Sequence, residues 1–221
     1  MDKPPDHQHS YRDREDSRFY QARGLSPEQT WQTLSRELAR VLADARTTFW
    51  RRPPPIDVER VRWWHGAIFA RHFPHDGGHL RKERAFFGVM GRDGRMRRTE
   101  GSPPEAVRHD LAAVCRVFSA DVERLGSPAV GTLERARAVG ALYAGILRVH
   151  PFVDGNHRTA FVALSATLWS LGLPAVEFAD DEDMIDHDDA LIPALLSRDG
   201  EIEPFARLLV SRIERASTPE A

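Results

Sequence analysis

The sequence predicts a mostly α-helical fold, a bundle carrying one short β-hairpin, and three observations predict it. Apolar residues recur at helical spacing, as in Trp31, Leu34, Leu38, Val41 and Leu42. From Thr159 to Leu171 almost every residue is apolar or small, the pattern of a helix buried on all sides at the centre of a domain. One stretch departs from helical spacing: Ala85 to Met90 is a short apolar run followed by Gly91-Arg-Asp-Gly-Arg95. Asp93-Gly94 is a tight-turn signal, so this stretch reads as a hairpin.

Residues 1–24 are rich in charge, His, Pro and Ser and are expected to form a disordered tail. Residues 25–55 form an N-terminal helix and a Pro-rich linker. Ser26 suits the N-cap, Pro27 the first helical position, and Gln29 can reach back to complete a capping box. Arg51-Arg52-Pro53-Pro54-Pro55 is the stiff connection that follows. The main helical domain is expected over 56–216. A helix from about Asp57 carries Val61, Trp64, Ile68 and Phe69 on one side and ends by Pro74 and Gly77-Gly78. After the hairpin, Ser102-Pro103-Pro104-Glu105 opens a helix to about Leu125. An Ala- and Gly-rich helix spans about Thr132 to Val149, and the apolar helix begins near Asn156 and stops at Gly172 and Pro174. Helices near 188–196 and 203–215 close the chain.

With 221 residues, 41% of them hydrophobic, the chain can bury a sizeable core. A net charge of −2 gives no global push toward nucleic acid. The single cysteine, Cys115, excludes a disulfide framework and a cysteine zinc cluster, and it reads as a buried thiol. No apolar run reaches the roughly 18 residues needed to span a membrane. Met1 to Glu15 lacks the apolar core of a signal peptide, so a cytoplasmic location is expected.

The candidate chemistry lies between the two core helices, at His150, Asp154, Gly155, Asn156, His157 and Arg158. The loop runs into a helix N-terminus, where backbone amides and the helix dipole attract anions. Gly155 permits positive φ and a close approach of a ligand. Arg158 can fork onto phosphate oxygens. Asp154 is a hard oxygen ligand suited to Mg²⁺ shared with a phosphate. His150, ending the preceding helix, can accept a proton near neutral pH. A base, an anion hole, a cation and a metal ligand together suit phosphoryl or nucleotidyl transfer, which depends on positioning and charge neutralisation.

His150 to Arg158, HPFVDGNHR, resembles the signature of the Fic/Doc family, HPFx[D/E]GN[G/K]R; eight of nine positions agree and His157 departs. The helix with His65 and Phe69, the hairpin and the Ser-Pro-Pro-Glu segment follow the family's order, so the resemblance covers about 57–172. It implies a Fic-like helical bundle with a hairpin flap. It also implies ATP as co-substrate with Mg²⁺, and as partner a target protein whose Ser, Thr or Tyr hydroxyl receives AMP. By the same resemblance His150 is the general base, Asp154 holds Mg²⁺, and Gly155 and Asn156 hold phosphates through backbone and side-chain donors. His157 lines the phosphate hole, Arg158 contacts the terminal phosphates, Phe152 anchors the loop, and the flap holds a target segment by strand addition. The AMP-transferring form has Gly where this chain has His157 and a second Arg where it has Phe161. The Doc-like branch has Lys at 157 and also lacks that Arg. Transfer of the γ-phosphate by a Doc-like kinase or toxin, and a degraded Fic-fold module that only binds, are the alternatives. An antitoxin or a self-inhibitory helix is a further implied partner; Thr33-Leu-Ser-Arg-Glu37 partly fits the inhibitory motif, and an ordinary solvated Glu is the favoured reading.

Other features are read plainly. His72, His75 and His79 could ligate zinc as a set but read as a loop rim. Arg92, Arg95, Arg97 and Arg98 make a basic hairpin tip, read as a solvated turn. Asp180 to Asp183 reads as the solvated start of a helix.

Overall fold

The structure, a computed structural model, describes residues 22, 24–50, 55–178, 181–197 and 200–217. The described residues form α1 (Pro27–Phe49), α2 (Val58–Phe69), β1 (Phe86–Met90), β2 (Met96–Glu100), α3 (Val107–Leu125), α4 (Thr132–Val149), α5 (Asn156–Ser170), α6 (Asp181–Leu196) and α7 (Glu203–Ser217). This is the predicted helical bundle with one hairpin. The expected tail lies outside the described residues except for Ala22 and Gly24, as do residues 51–54 of the linker.

Local chemistry starts α1 where the sequence places it. Ser26 Oγ accepts the Gln29 amide at 3.2 Å while Gln29 Oε1 accepts the Ser26 amide at 2.9 Å, a complete capping box. Asp57 caps α2 by accepting the Arg60 amide at 2.8 Å. α5 forms the centre, with α1, α2 and α4 packed around it. From Thr159 to Leu168 it is buried except for the half-buried Phe161, as an apolar-all-round helix must be. Cys115 is buried, and burial pushes its thiol up to about 12, so it is an inert core group.

Two helix starts differ from the sequence reading. α3 begins at Val107, not Ser102. Ser102 instead donates its hydroxyl to Asp110 at 2.7 Å and its amide to the Val149 carbonyl at 3.2 Å, fastening the hairpin's exit to α4. The Pro103 carbonyl then accepts the amides of Ala106 and Val107 in a turn before the helix. α6 begins at Asp181, ahead of the 188–196 range read from periodicity, and Asp183 in its first turn pairs with Arg212 of α7.

β1 and β2 pair antiparallel, with Phe87 opposite Thr99 and Val89 opposite Arg97. The Gly94 amide closes the turn onto the Gly91 carbonyl at 2.8 Å, and Asp93 Oδ1 accepts the Arg95 amide at 3.1 Å. Phe87 and Val89 face the bundle, while Phe86 and Met96 face outward and are exposed. No helix among the described residues is long and apolar enough to cross a membrane.

Candidate active site

The loop 150–155 joins the C-terminus of α4 to the N-terminus of α5. His150 is the C-cap of α4 in the left-handed region, φ 52° and ψ 60°. It is the one described non-glycine residue with positive φ, a conformation that histidine tolerates better than most side chains. The neighbourhood over-determines it. The carbonyls of Val149 and His150, left without partners by the end of the helix, accept from Arg81 Nη2 at 3.2 Å and Nε at 2.6 Å. The same guanidinium donates to Ser102 at 2.5 Å and to Glu83 at 2.5 Å, and the Arg81 amide donates to Pro151 at 3.0 Å.

The imidazole of His150 lies flat under Phe87 of the hairpin, ring centroids 4.6 Å apart and planes within 3°. Its Nδ1 is enclosed, which leaves Nε2 as the nitrogen that can meet a substrate. Burial, aided by the adjacent His157, lowers its pKa to about 4, outweighing the Leu147 carbonyl and Asp154, which act the other way. The ring is therefore neutral at pH 7, the state a proton acceptor requires.

Below the loop, His65 of α2 plays a structural part. Its Nδ1 accepts the Gly78 amide at 2.8 Å, which places the ring proton on Nε2, 3.0 Å from the Asp154 carbonyl oxygen. Phe152 stacks on it at 3.8 Å and is itself fully buried, the anchoring role expected of it. Burial lowers His65 to about 4 as well. The unfolded chain binds protons on both histidines near 6.5, the folded chain only near 4. Stability therefore falls as pH drops through that window, by roughly 3 kcal/mol per ring at pH 4. Urea titrations from pH 7 to pH 4 measure this loss, and His65→Gln is expected to remove its share of the slope.

Gly155, at φ 73°, caps α5, and a Cβ there would meet Phe69 Cε2 at 2.4 Å and His65 Nε2 at 3.2 Å. The missing side chain makes room for the Phe69 ring. The Asn156 side chain braces the loop: its Oδ1 accepts the Phe152 amide at 2.9 Å and its Nδ2 donates to the Phe152 carbonyl at 3.0 Å. Asn156, His157 and Arg158 supply the first-turn amides of α5, which have no carbonyl four residues back in the helix.

Asp154 Oδ1 accepts the Gly155 amide at 2.5 Å. Among the described residues no group of three or more His, Cys, Asp or Glu is placed to hold a metal, and His72, His75 and His79 form no such set. One carboxylate fits Mg²⁺ only if phosphate oxygens and water complete the shell. Arg158 lies over Trp31 of α1, its guanidinium carbon 4.6 Å from the ring centre. His157 is exposed. Glu37 pairs with Arg40 at 2.9 Å and Arg71 at 3.6 Å, which holds its carboxyl below the usual range. At the hairpin tip Arg92 pairs with Asp186 of α6 and Arg97 with Asp93, so two of the four arginines of the basic run have carboxylate partners at close range.

Sequence reasoning missed Arg81 and Phe87. Arg81 stands in Leu-Arg-Lys-Glu-Arg, which looks like any solvated charge run, and nothing local marks it. His65 entered only as part of the helix whose place in the chain follows the family's order.

The sequence model of the Fic/DOC family matches residues 55–168. No curated protein matches by sequence. Solved structures share the fold. A Fic domain containing signaling protein from Bacteroides thetaiotaomicron superposes with TM-score 0.68 at 16% identity, covering 90% of this chain and 74% of its own. The N-terminal Fic domain of a VirB-translocated Bep effector from Bartonella quintana, with bound ADP, gives TM-score 0.62 at 18% identity and 94% and 95% coverage. BepC from Bartonella tribocorum, with bound AMPPNP, gives TM-score 0.53 at 18% identity and 86% and 89% coverage. The matched segment takes in the hairpin, the loop with His150, and nearly all of the central helix: this chain is a member of the Fic/DOC family.

Proposed function

We propose that this chain transfers AMP from ATP to a hydroxyl side chain of a target protein. The observation that carries the reading is His150: a neutral imidazole held in a fixed pose at the end of α4, next to the anion-attracting N-terminus of α5. In this reading the acceptor hydroxyl gives its proton to His150 Nε2 while its oxygen bonds to the α-phosphorus. The bond from that phosphorus to the β-phosphate oxygen breaks and pyrophosphate leaves. The negative phosphates of a bound nucleotide raise the basicity of His150 above its value in the empty site. The first-turn amides of α5 and the Arg158 guanidinium neutralise phosphate charge. Asp154 would hold Mg²⁺ together with the phosphates, where the ion when bound adds further neutralisation. The adenine nucleotides present in the two Bartonella relatives favour ATP as donor.

Two features favour a second reading, γ-phosphate transfer. His157 projects an exposed side chain where the AMP-transferring form has none, and Phe161 is half-buried in the core where that form has a second arginine. Incubating the protein and a cell lysate with ATP labelled at the α-phosphate, and separately at the γ-phosphate, tells them apart. AMP transfer labels protein from the α position alone, and label only from the γ position sinks it in favour of phosphorylation. No label from either leaves a module that acts by binding.

A further inference from the structure

Helix α6 lies outside the segment that matches the family, yet it grips the tip of the hairpin. The backbone amide of Arg92, inside the hairpin turn, donates to Asp189 Oδ1 at 3.1 Å, and its guanidinium pairs with Asp186. Asp183, Asp186 and Asp189 stand three residues apart, so their carboxylates line one side of α6. On the other flank Arg212 of α7, 6% exposed, pairs with Asp183 and approaches Asp186 to 3.9 Å. Asp186 therefore stands between two guanidinium groups from different elements.

The helix that carries these carboxylates is anchored from below. His187, 1% exposed, has Asp188 Oδ1 2.9 Å from Nδ1 and the buried Tyr143 hydroxyl 2.8 Å from Nε2. An Asp partner on Nδ1 places the proton there, so Nε2 accepts from Tyr143. Phe178 and Phe205 pack edge-on against the ring. Tyr143 belongs to α4, the helix that ends in His150. One rigid helix thus supports the catalytic loop directly and the hairpin tip through α6.

The hairpin is held at its other end by Phe87 stacked on His150. The Gly101 amide bonds to the Ala85 carbonyl at 3.0 Å, and the Gly91 amide to the Arg95 carbonyl at 3.1 Å. By antiparallel alternation, Phe86, Gly88 and Met90 then direct their amides and carbonyls to the outer edge of β1. An acceptor segment adding to such an edge places its hydroxyl at a distance from His150 that the height of the hairpin decides.

We propose that Asp186 and Asp189 are positioning residues for the acceptor protein, fixing the hairpin over His150 through Arg92. The proposal rests on the flap-docking reading of the hairpin, since an edge displaced by an ångström misplaces the reacting oxygen. The test is Asp186→Asn with Asp189→Asn, which keeps shape and removes charge, in the full chain. Hydrogen exchange by mass spectrometry is expected to rise roughly five- to tenfold across residues 86–100 and stay unchanged in α4 and α7, the factor that two lost partly exposed charge-assisted contacts give. Salt at about 1 M moves the wild type the same way. With α-labelled ATP and lysate, the rate of protein labelling falls while the apparent KM for ATP holds. Unchanged exchange in the Asn pair overturns the latch. A rise spread through α4 and α7 also overturns it, by making these residues general stabilisers. A loosened hairpin with undiminished labelling overturns the acceptor role alone. Wild type that labels nothing counts against nucleotide transfer, and the exchange measurement still decides the latch.

Discussion

His150→Asn is expected to lower protein labelling from ATP by about a thousandfold, the contribution of a well-placed general base, while leaving nucleotide binding within a few-fold of the wild type. Asn is the informative replacement because of the backbone. His150 sits at φ 52°, where Asn is tolerated and Ala adds strain on the order of 1 kcal/mol. Asn also retains part of the flat surface beneath Phe87 but has no group that takes a proton near neutral pH. His150→Ala should lose the same activity with a larger drop in unfolding temperature. Calorimetric titration with Mg²⁺-ATP separates the two effects. A labelling rate that survives in the Asn variant would mean that another group accepts the proton, and His157, close enough to depress the pKa of His150, would be the first to test.

The contrast between what the sequence disclosed and what it concealed follows from range. Helix starts written in adjacent residues were legible, such as the Ser26–Gln29 box and the Asp93-Gly94 turn, because capping and turn chemistry act within three or four positions. The helix from Asn156 was legible because burial on every side leaves no polar stripe. The nine-residue run from His150 to Arg158 disclosed the family, and with it a loop that ends at the N-terminus of α5, for the same local reason. What stayed hidden depends on residues far apart. Ser102 looked like a helix cap and is instead a tie between the hairpin and Val149, 47 positions on (149 minus 102). Asn156 looked like a phosphate donor and is spent on Phe152, a bond that only the folded loop reveals. The acidic run from Asp180 reads as solvent-facing until Arg212 arrives from α7 and pairs with Asp183.

Arg81 is the extreme case of this concealment, and its replacement carries the largest expected loss of stability. Its side chain is 4% exposed, and burial lowers the guanidinium's pKa, yet no carboxylate pairs with it directly. Four carbonyls do, those of Glu83, Ser102, Val149 and His150. They come from the segment before the hairpin, the segment after it and the end of α4, so one planar cation fastens the hairpin to the loop after α4 at both its roots. Arg81→Lys keeps the charge but offers one compact donor group in place of the fork, and it cannot reach all four oxygens. The stranded carbonyls, in a site closed to water, cost about 1–3 kcal/mol each where no rearrangement satisfies them. A total loss of about 3–5 kcal/mol is expected, seen as a fall of roughly 10 °C in the unfolding midpoint for a chain of this size. Arg84, three residues on, provides the control. It makes a two-pronged pair with Glu100, at 2.5 and 2.6 Å, on the open surface. Arg84→Leu should leave the midpoint unmoved, as exposed ion pairs generally do. If Arg81→Lys unfolded with the wild type, the left-handed turn at His150 would have to be held by the loop itself, through the Asn156–Phe152 bonds and the Phe69 ring beneath Gly155.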